Sequence, residues 1–435
     1  MEGPTMDKLH TEHWQADQLT EQEMEHLDRF HRATARGFHS PVTNEDAAER
    51  WRQITAAQKM RMSLVYDRGA GSPALHENEP VHTYGGFPGR LNAGAGTDLP
   101  IYKITAVTVS PSYRRRGILG RQITEDLGYA KQQGYPWAAL TASDARIYGR
   151  WGYGIASYEN RFALECTDGL KLREPLPGRV MEVSAEQIEP HFDELAERCM
   201  AGTYGSIDAS AFDRGYILGQ LDGWENLAPA KDARLAAHYD QHGSLDGLIS
   251  YKYQSRDSKP RAMTVRGLLA QNAAARVALL EFLGNHDLIG EVLGAGPVDD
   301  PLRLMLANDR NYKVEETRDV LWLRLLDPVA ALQARAWSRD GSFVLVLRDQ
   351  LSLADGTYQV RIEQGRAKVT PNPATEHRLP ELSMDVSVLP RLYLASVRLA
   401  DLADVGLVQC RSDRDLNELE MLFAQPRSAF TPYEF

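Results

Sequence analysis

The feature that most constrains this chain is the stretch 107–120, which runs V-T-V-S-P-S-Y-R-R-R-G-I-L-G. A β-branched run ends at Pro111, and three arginines and Gly117 then lead into a helix-forming segment. The start of a helix offers about four unpaired N–H groups and roughly half a positive charge, and a glycine lets the backbone approach a ligand closely. The stretch therefore predicts a strand–loop–helix junction that holds a phosphate-bearing ligand.

The residues at this junction do not by themselves identify the ligand. A Walker loop needs G-x-x-x-x-G-K-[ST] and a dinucleotide fold needs G-x-G-x-x-G, and neither string fits this stretch. Arginines can add bidentate contacts to a phosphate, but a solvated basic helix start would carry the same residues. The rest of the chain must decide between these two interpretations.

Length and composition are typical of a soluble protein with several domains. At 435 residues the chain is too long for one ordinary core, which predicts two or three domains. No apolar run approaches the roughly 18–20 residues that span a bilayer. The N-terminus, M-E-G-P-T-M-D-K-L-H, lacks the apolar stretch of a signal peptide. We therefore expect a cytoplasmic protein without a membrane span, with secretion by a non-classical route left open.

The cysteines argue against two kinds of site, and the net charge argues against nucleic acid as a partner. The three cysteines are widely separated and fit neither a disulfide framework nor a C-x-x-C metal site. The 49 Lys and Arg residues against 60 Asp and Glu give a net charge of −11, which disfavours nucleic acid because phosphate neutralisation needs a cationic surface. The same field favours a cationic small molecule or a lysine-bearing peptide, although acidic proteins also use their charge simply for solubility.

The segment around the junction has the element pattern of an α/β unit. A capping box at Thr20 and Glu23 predicts a helix that ends at Gly37, and a second helix follows Asn44. The glycine-rich stretch 86–98 is predicted to be a loop. The periodicity predicts strands at 63–66, 81–85, 101–109, 137–141 and 158–164, a helix from 115 to about 132 and a short helix at 143–148.

Two further segments follow this unit. A strand at 262–269 and a helix at 272–283 repeat the order of the first junction, but without its glycine or its arginines. This order indicates a degenerate repeat that keeps the layered core and has lost the phosphate loop. The last segment, from about 317, begins with L-W-L-R-L-L-D and a proline-started helix, continues with three alternating strands and ends in Phe435.

Four separated strings resemble one known family. The string V-x-V-x-P-x-x-R-R-R-G-[IL]-L resembles the acetyl-CoA motif of the GNAT superfamily of N-acetyltransferases, whose usual pattern is [RQ]-x-x-G-x-[GA]. Arg114 and Gly117 match this pattern, whereas Leu119 stands where a small residue is usual. That departure is shared by the Enhanced intracellular survival (Eis) branch of actinobacteria. The strings S-D-A-R-I-Y-G-R-W-G-Y-G and L-W-L-R-L-L-D and the terminal Phe are similar to that branch as well, so the resemblance covers essentially the whole chain.

The resemblance implies a fold of the α/β (α+β) class with three domains. It implies an N-terminal acetyltransferase domain over 1–175, a degenerate acetyltransferase-like domain over 176–318 and a sterol-carrier-protein-like domain over 319–435 that ends in the catalytic carboxylate. By analogy the last domain serves assembly and delivers that carboxylate, and lipid binding by it is left open.

The resemblance also assigns the residues that hold acetyl-CoA, the cosubstrate. Strand residues before the loop would bind the pantetheine arm, the loop and helix start would bind the pyrophosphate, and a Ser-Asp pair stands where the family has Ser-Glu. These residues are Val107, Thr108 and Val109 for the arm, Arg115, Arg116, Gly117, Ile118, Leu119 and Gly120 for the pyrophosphate, and Ser143 and Asp144 for the further contact.

Two further residues match the catalytic groups of that branch. Acetyl transfer to an amine requires that the attacking ammonium lose a proton and that the departing thiolate gain one. Tyr148 matches the general acid, although on its own it would be an ordinary packing aromatic. The α-carboxylate of Phe435 matches the general base. Such a group titrates near about 3.3–3.7, so it would act through a raised pKa, a bridging water or both. The alternative to this role for Phe435 is a disordered end of the chain.

The predicted function is acetyl transfer from acetyl-CoA to primary amines by direct attack, with aminoglycosides, lysine side chains or polyamines as acceptors. The resemblance further implies a homo-hexamer. The alternative is a non-catalytic CoA- or lipid-binding regulatory protein. No metal is expected, because His10, His13, His26 and His31 lie in an acidic region predicted to be helical and solvated. Glu434 is a candidate for lining the amine site.

Overall fold

The polypeptide forms three β-sheets flanked by helices in a computed structural model. The structure describes residues 8–41, 44–69, 74–94, 98–224, 226–254, 260–374 and 379–435. The strands are β1 (Leu9–Gln15), β2 (Arg61–Asp67), β3 (His82–Asn92), β4 (Asp98–Val109), β5 (Trp137–Thr141), β6 (Gly154–Ile155), β7 (Tyr158–Glu165), β8 (Arg179–Val183), β9 (Arg234–Tyr239), β10 (Leu245–Tyr253), β11 (Ala262–Ala270), β12 (Glu291–Pro297), β13 (Tyr312–Asp319), β14 (Leu321–Leu325), β15 (Gly341–Arg348), β16 (Gly356–Glu363), β17 (Arg366–Pro371), β18 (Glu381–Asp385) and β19 (Val408–Cys410).

Twelve α-helices accompany these strands in the described part of the chain. They are α1 (Met24–Gly37), α2 (Glu45–Ala57), α3 (Ile118–Gln132), α4 (Ala145–Tyr148), α5 (Ala185–Gly202), α6 (Ala211–Ile217), α7 (Ala273–Gly284), α8 (Leu302–Met305), α9 (Pro328–Ala334), α10 (Leu389–Tyr393), α11 (Leu399–Asp404) and α12 (Asp413–Phe423). Within the described ranges, none of the helices has the length and apolar content that crossing a bilayer requires.

The first sheet contains the predicted junction and has the strand order β1-β2-β3-β4-β5-β14-β6. Strands β1 to β4 are antiparallel neighbours, whereas β4 and β5 are parallel. Parallel neighbours need a crossover connection, which α3 provides. The two faces of the sheet have separate cores. Phe30 of α1 packs with Phe87 on one face, and Leu127 of α3 packs with Tyr102 on the other.

The second sheet repeats this arrangement in the order β13-β7-β12-β11-β10-β9-β8. Strands β11 and β12 are parallel and connected through α7, so α7 corresponds to α3. The repeat predicted from the strand at 262–269 and the helix at 272–283 is confirmed.

Each of these two sheets contains one strand from the other half of the chain. Strand β7 pairs with β12 and β13 in the second sheet, and β14 pairs with β5 and β6 in the first. The chain segments meet at Ser157, where the N–H groups of Ala156 and Ser157 both donate to the Leu321 carbonyl. The predicted boundaries at 175 and 318 divide the chain by sequence, whereas the sheets cross them.

The third sheet, with the order β17-β16-β15-β18-β19, belongs to the C-terminal segment. Its core is filled by side chains that include Trp337, Phe343 and Phe423. Arg335 lies inside this core with 1% of its surface exposed, and its Nε donates to the Tyr393 carbonyl at 2.9 Å. Because a buried guanidinium needs acceptors on several sides, its carbonyl partners fix the chain around it.

The predicted loop at 86–98 was wrong for its first half, because β3 continues to Asn92. A Cβ at Gly86 would lie 2.0 Å from the Tyr102 hydroxyl, and one at Gly89 would lie 2.1 Å from Lys103 Cε. These glycines therefore make room for side chains of the paired strand β4. Residues 95–97 of that prediction lie outside the described residues.

The N-terminal histidines are also arranged differently from the prediction. His10 and His13 lie in β1 rather than in a helix. His31 is buried in α1, where its Nε2 lies 3.0 Å from Thr55 Oγ1. The capping box of Thr20 and Glu23 is present, as predicted, and precedes α1.

Candidate active site

A gap opens in the first sheet at the predicted junction. The parallel pairing of β4 and β5 joins Ile101–Lys103 to Trp137–Ala139. Both strands continue beyond this pairing, β4 to Val109 and β5 to Thr141. The outer halves of the two strands therefore separate, and the gap between them connects the two faces of the sheet.

A bulge shapes the β4 side of this gap. One extra residue of β4 interrupts the pairing with Thr83 and Gly85, and Ala106 at this point has a φ of +53°. A bulge leaves a residue outside the ladder and bends the strand. The predicted pantetheine-binding residues follow at once: Val107 and Val109 are half-buried, and Thr108 is buried with its hydroxyl 2.7 Å from that of Thr83.

The N-terminus of α3 has no side-chain cap. Its N-cap residue is Gly117, with a φ of +78°, and a Cβ added there would have no heavy atom within 4 Å. The N–H groups of Ile118, Leu119 and Gly120 lie in the first turn, where no partner exists within a helix. The helix start is therefore open on the side that an anion would approach.

Two of the predicted arginines flank this helix start. Arg115 is exposed, and its φ of +62° belongs to the same turn. Arg116 lies with its guanidinium 4.9 Å from the Tyr113 ring centroid, and its Nη2 donates to the Ser112 carbonyl at 2.8 Å. Its Nη1 is buried and has no hydrogen-bond partner among the described residues. A buried donor without an acceptor is costly, so an anionic ligand at this point would relieve that cost.

The other predicted cofactor contact lies beyond the end of β5. Ser143 is exposed there. Asp144 caps α4, accepts from the Arg146 N–H at 2.9 Å and pairs with the Arg146 guanidinium at 2.8 Å. These hydrogen bonds from Arg146 lower the pKa of Asp144 to about 2. The Asp144 carboxylate is thus occupied within its own turn, and its contact with a cofactor stays a prediction.

Tyr148 ends α4 and points into the core on the α3 face of the sheet. It is 7% exposed and lies edge-on to Tyr153, with 5.9 Å between ring centroids. Burial raises the pKa of Tyr148 to about 12, and the negative charge of Asp144 adds to this effect. The phenol is therefore fully protonated at neutral pH.

Phe435 lies at the other face of the same strand end. Its terminal oxygen accepts a hydrogen bond of 2.8 Å from Thr141 Oγ1, at the last residue of β5. Its ring lies edge-on to Phe87, with centroids 6.0 Å apart, and the Lys103 ammonium lies 5.6 Å from its centroid. Lys103 is buried and is held by Asp208, whose carboxylate is 2.7 Å away.

The structure thus places the two predicted catalytic groups on opposite faces of the first sheet. Side chains alternate along β5, so that Ala138 and Leu140 belong to the core that contains Tyr148, whereas Ala139 belongs to the core that contains Phe435. An acid on one face and a carboxylate on the other suit a reaction whose leaving group and nucleophile lie on opposite sides of the reacting carbon.

Glu434, the candidate for lining the amine site, has ion-pair partners of its own. The Glu434 carboxylate pairs with the guanidinium of Arg318 and lies 3.6 Å from that of Arg161. In the described ranges, no group of three or more His, Cys, Asp and Glu residues is arranged to hold a metal ion.

Sequence reasoning did not identify the residues that hold the terminal Phe. Thr141, Phe87 and Lys103 come from three different strands, and none of them belongs to a recognisable motif. The signal that could have pointed to them is Lys103 itself, because a lysine inside an otherwise apolar strand needs a buried partner.

Comparison with known families covers most of the chain. Models of the acetyltransferase (GNAT) domain match residues 18–156 and 215–325, and a model of the sterol carrier protein domain matches residues 328–432.

Full-length relatives agree with these matches. An uncharacterized N-acetyltransferase of Streptomyces avermitilis is 32% identical over 345 residues, which cover 77% of this chain and 81% of that protein. The N-acetyltransferase Eis of Mycobacterium tuberculosis is 29% identical over 355 residues, which cover 80% of this chain and 83% of that protein.

Solved structures share the whole arrangement. Eis1 of Mycobacterium abscessus superposes with a TM-score of 0.79 at 23% identity, covering 98% of this chain and 100% of that one. A GCN5-related N-acetyltransferase of Anabaena variabilis superposes with a TM-score of 0.78 at 20% identity and the same coverage. At these identities the likeness concerns the fold.

Proposed function

Because the chain belongs to the Eis family of GNAT N-acetyltransferases, we propose that it transfers the acetyl group of acetyl-CoA to a primary amine of a cationic acceptor. Tyr148 acts as the general acid and the Phe435 carboxylate as the general base. The observation that carries this proposal is that the Phe435 carboxylate is bonded to Thr141 at the end of β5, while Tyr148 lies in the core on the opposite face of the same sheet.

Acetyl-CoA fits the site as a substrate. The uncapped start of α3 at Gly117 and the unpaired Nη1 of Arg116 suit its pyrophosphate. The bulged edge of β4 at Val107–Val109 suits the amide-bearing pantetheine arm. The thioester then comes to the gap between β4 and β5, with its sulfur on the Tyr148 side.

The Phe435 carboxylate prepares the amine on the other face. A primary ammonium must lose a proton before it can attack, and a carboxylate held in place can take that proton directly or through water. Thr141 fixes one carboxylate oxygen, while the contacts of the ring with Phe87 and Lys103 fix the residue that carries it. The amine attacks the thioester directly, in a ternary complex.

Tyr148 supplies a proton to the leaving thiolate. With a pKa of about 12 against about 8.5 for an ordinary thiol, complete transfer to a free thiolate would be unfavourable by about 5 kcal/mol. The phenol therefore acts first as a hydrogen-bond donor to the developing charge on sulfur. It gives up its proton as the C–S bond breaks, and the second proton of the attacking nitrogen, which becomes acidic once that nitrogen has bonded to the acetyl carbon, restores the phenol.

The acceptor class follows from charge and from the family. A net charge of −11 favours cationic molecules, and aminoglycosides, polyamines and lysine side chains are the acceptors that we propose. We further propose a homo-hexamer that works in the cytoplasm.

Changing the chain end tests this function. We expect that appending one or more residues after Phe435 lowers kcat by at least about 100-fold, because the carboxylate moves by roughly 3.5 Å per residue. The Kd for acetyl-CoA should stay unchanged. The matched control is Phe435→Leu, which keeps a terminal carboxylate and should retain most of the turnover. Full activity of the extended protein would exclude the carboxylate as the base.

Thiol release from acetyl-CoA distinguishes catalysis from regulatory binding. We expect release that depends on kanamycin or a polyamine. Binding of CoA without amine-dependent release across a broad panel of amines would favour a non-catalytic binding protein instead.

A further inference from the structure

The second repeat keeps the gap that forms the active site of the first. The parallel pairing of β11 and β12 covers Ala262–Thr264 opposite Glu291–Leu293, and both strands continue beyond it. One extra residue, Arg266, interrupts the pairing of β11 with β10. Pairing, bulge and crossover helix thus correspond to those of β4, β5 and α3.

The second gap has lost the features that suit a phosphate. The N-terminus of α7 is capped by the Asn272 side chain, which accepts from the Ala275 N–H at 2.9 Å. Arg276, in the first turn, is paired with Asp300 at 2.7 Å rather than left without an acceptor. This gap is therefore a cleft without a phosphate site.

The C-terminal segment lines this cleft. A cavity of about 570 Å³ lies between the end of β11, the start of α7 and residues 425–433. The Ser428 N–H donates to Asp299 Oδ2 at 3.0 Å, just beyond the end of β12, and the Phe430 N–H donates to the Tyr204 carbonyl at 2.9 Å. The segment is thus bonded to the second repeat before it reaches the first.

The tightest anchor is at Thr431, which is fully buried. Its hydroxyl donates to the Gly205 carbonyl at 2.9 Å and lies 2.8 Å from Ser157 Oγ, at the point where the two repeats exchange strands. Gly205 has a φ of +78°, and a Cβ there would lie 2.4 Å from the Cβ of Ala429. Both the conformation and the space at Gly205 therefore require glycine.

We propose that the cleft of the second repeat has become the receptor for the C-terminal segment, and that Thr431 and Gly205 are positioning residues for acetyl transfer. This inference rests on the proposed role of the Phe435 carboxylate. Three residues separate Thr431 from Phe435, and the four steps between them span at most about 14 Å. A fixed Thr431 therefore confines the carboxylate to the neighbourhood of Thr141, whereas a free chain end would fray.

Isosteric substitution tests the anchor in the full-length protein. Thr431→Val removes both hydroxyl contacts at nearly constant volume, and Thr431→Ser retains them. Gly205→Ala displaces Ala429 from the other side and serves as the second variant. The matched control is Thr55→Val, which also removes the hydroxyl of a buried threonine but lies in α2. The first measurement is the rate at which carboxypeptidase A releases Phe435, followed by mass spectrometry.

We expect Thr431→Val and Gly205→Ala to release Phe435 roughly 10- to 100-fold faster than the wild type, as the loss of buried hydrogen bonds predicts. Their kcat should fall by a similar factor, with the KM for acetyl-CoA unchanged. Thr431→Ser and Thr55→Val should behave like the wild type in both measurements.

Two results would contradict the inference in different ways. Unchanged release of Phe435 in both variants would show that Thr431 and Gly205 do not hold the tail, and would overturn their positioning role. Faster release with unchanged kcat would show that the tail is held there but that its carboxylate is not the base. The second result overturns the proposed function, and with it the positioning role.

Discussion

Burial keeps Tyr148 in its protonated form. Its pKa of about 12 comes from removal of the phenol from water, with the charge of Asp144 as a smaller contribution. A group in this state can donate a hydrogen bond at every physiological pH but cannot act as a base. The residue environment thus agrees with an acid role on the face of the sheet where CoA would bind.

Replacing the phenol tests this role. We expect Tyr148→Phe to lower kcat by about 100-fold or more, because general acid catalysis contributes about that much, while the Kd for acetyl-CoA stays unchanged. In the wild type, kcat should not decline through deprotonation of Tyr148 below about pH 11. Wild-type turnover in the variant would show that the thiolate takes its proton from another source.

His31 makes stability depend on pH. Burial lowers the pKa of His31 to about 3, whereas the unfolded chain takes up that proton below about pH 6.5. The contribution of neutral His31 to the free energy of unfolding is therefore fully present above pH 6.5 and is lost as the pH falls towards 3. At pH 5 the loss is about 2 kcal/mol.

Urea unfolding at pH 7 and pH 5 checks this prediction. His31→Gln keeps a polar partner for Thr55 but cannot titrate, so it should lose about 2 kcal/mol less than the wild type between the two pH values. The exposed His242, changed to Gln, is the control and should leave the difference unaltered. Equal losses in the wild type and His31→Gln would contradict the assigned protonation state.

At the scale of elements, structure that depends on neighbouring residues was predicted, whereas the length of one strand was not. Helices α1 and α2 carry their own start signals at Thr20 and Asn44, which act within a few residues. The extension of β3 through Gly86 and Gly89 could not be predicted, because the reason for these glycines lies in side chains of β4. Signals within a few residues therefore predict where a helix begins, whereas contacts between paired strands can be identified only once the fold is known.

The start of α3 offers a matched pair of glycines. Gly117 has a φ of +78°, whereas Gly128 lies inside the helix, and a Cβ at either position would meet no heavy atom within 4 Å. We expect Gly117→Ala to lower the free energy of unfolding by about 1–2 kcal/mol and to weaken acetyl-CoA binding. Gly128→Ala should stabilise the protein by about 0.5–1 kcal/mol.

Thermal denaturation and titration with acetyl-CoA measure these two effects. Neither change creates a clash. The difference between the free energies of unfolding of the two variants therefore reports the effect of the backbone conformation alone. Unaltered acetyl-CoA affinity in Gly117→Ala would argue against this turn as the phosphate site.

At the scale of the whole molecule, the exchange of β7 and β14 joins the two repeats. Strand β14 pairs with β5 over its full length, and β7 pairs with β12 and β13. As apolar strands, β7 and β14 were predictable, but their partners were not, because pairing across more than a hundred residues has no local signal. The same holds for the active site. The phosphate junction and the two catalytic candidates were predicted from motifs, whereas the residues that hold Phe435 were not.

The exchange predicts that the two repeats unfold together. Removal of either strand would leave a gap or an unpaired edge in the other repeat's sheet, so neither sheet is complete alone. We expect urea unfolding followed by tryptophan fluorescence and by far-UV circular dichroism to give coincident transitions for the two repeats. A separate transition for one repeat, with the other still folded, would contradict this coupling.

The position of β14 also has a consequence for synthesis on the ribosome. Thr141 ends β5, but its partner begins at Leu321, and translation at about 5–20 residues per second separates the two by roughly 10–35 s. During that interval one edge of β5 in the nascent chain lacks its final neighbour. The first repeat emerges first but is completed late, so the cell must keep an unfinished sheet edge from aggregating until the second repeat has been made.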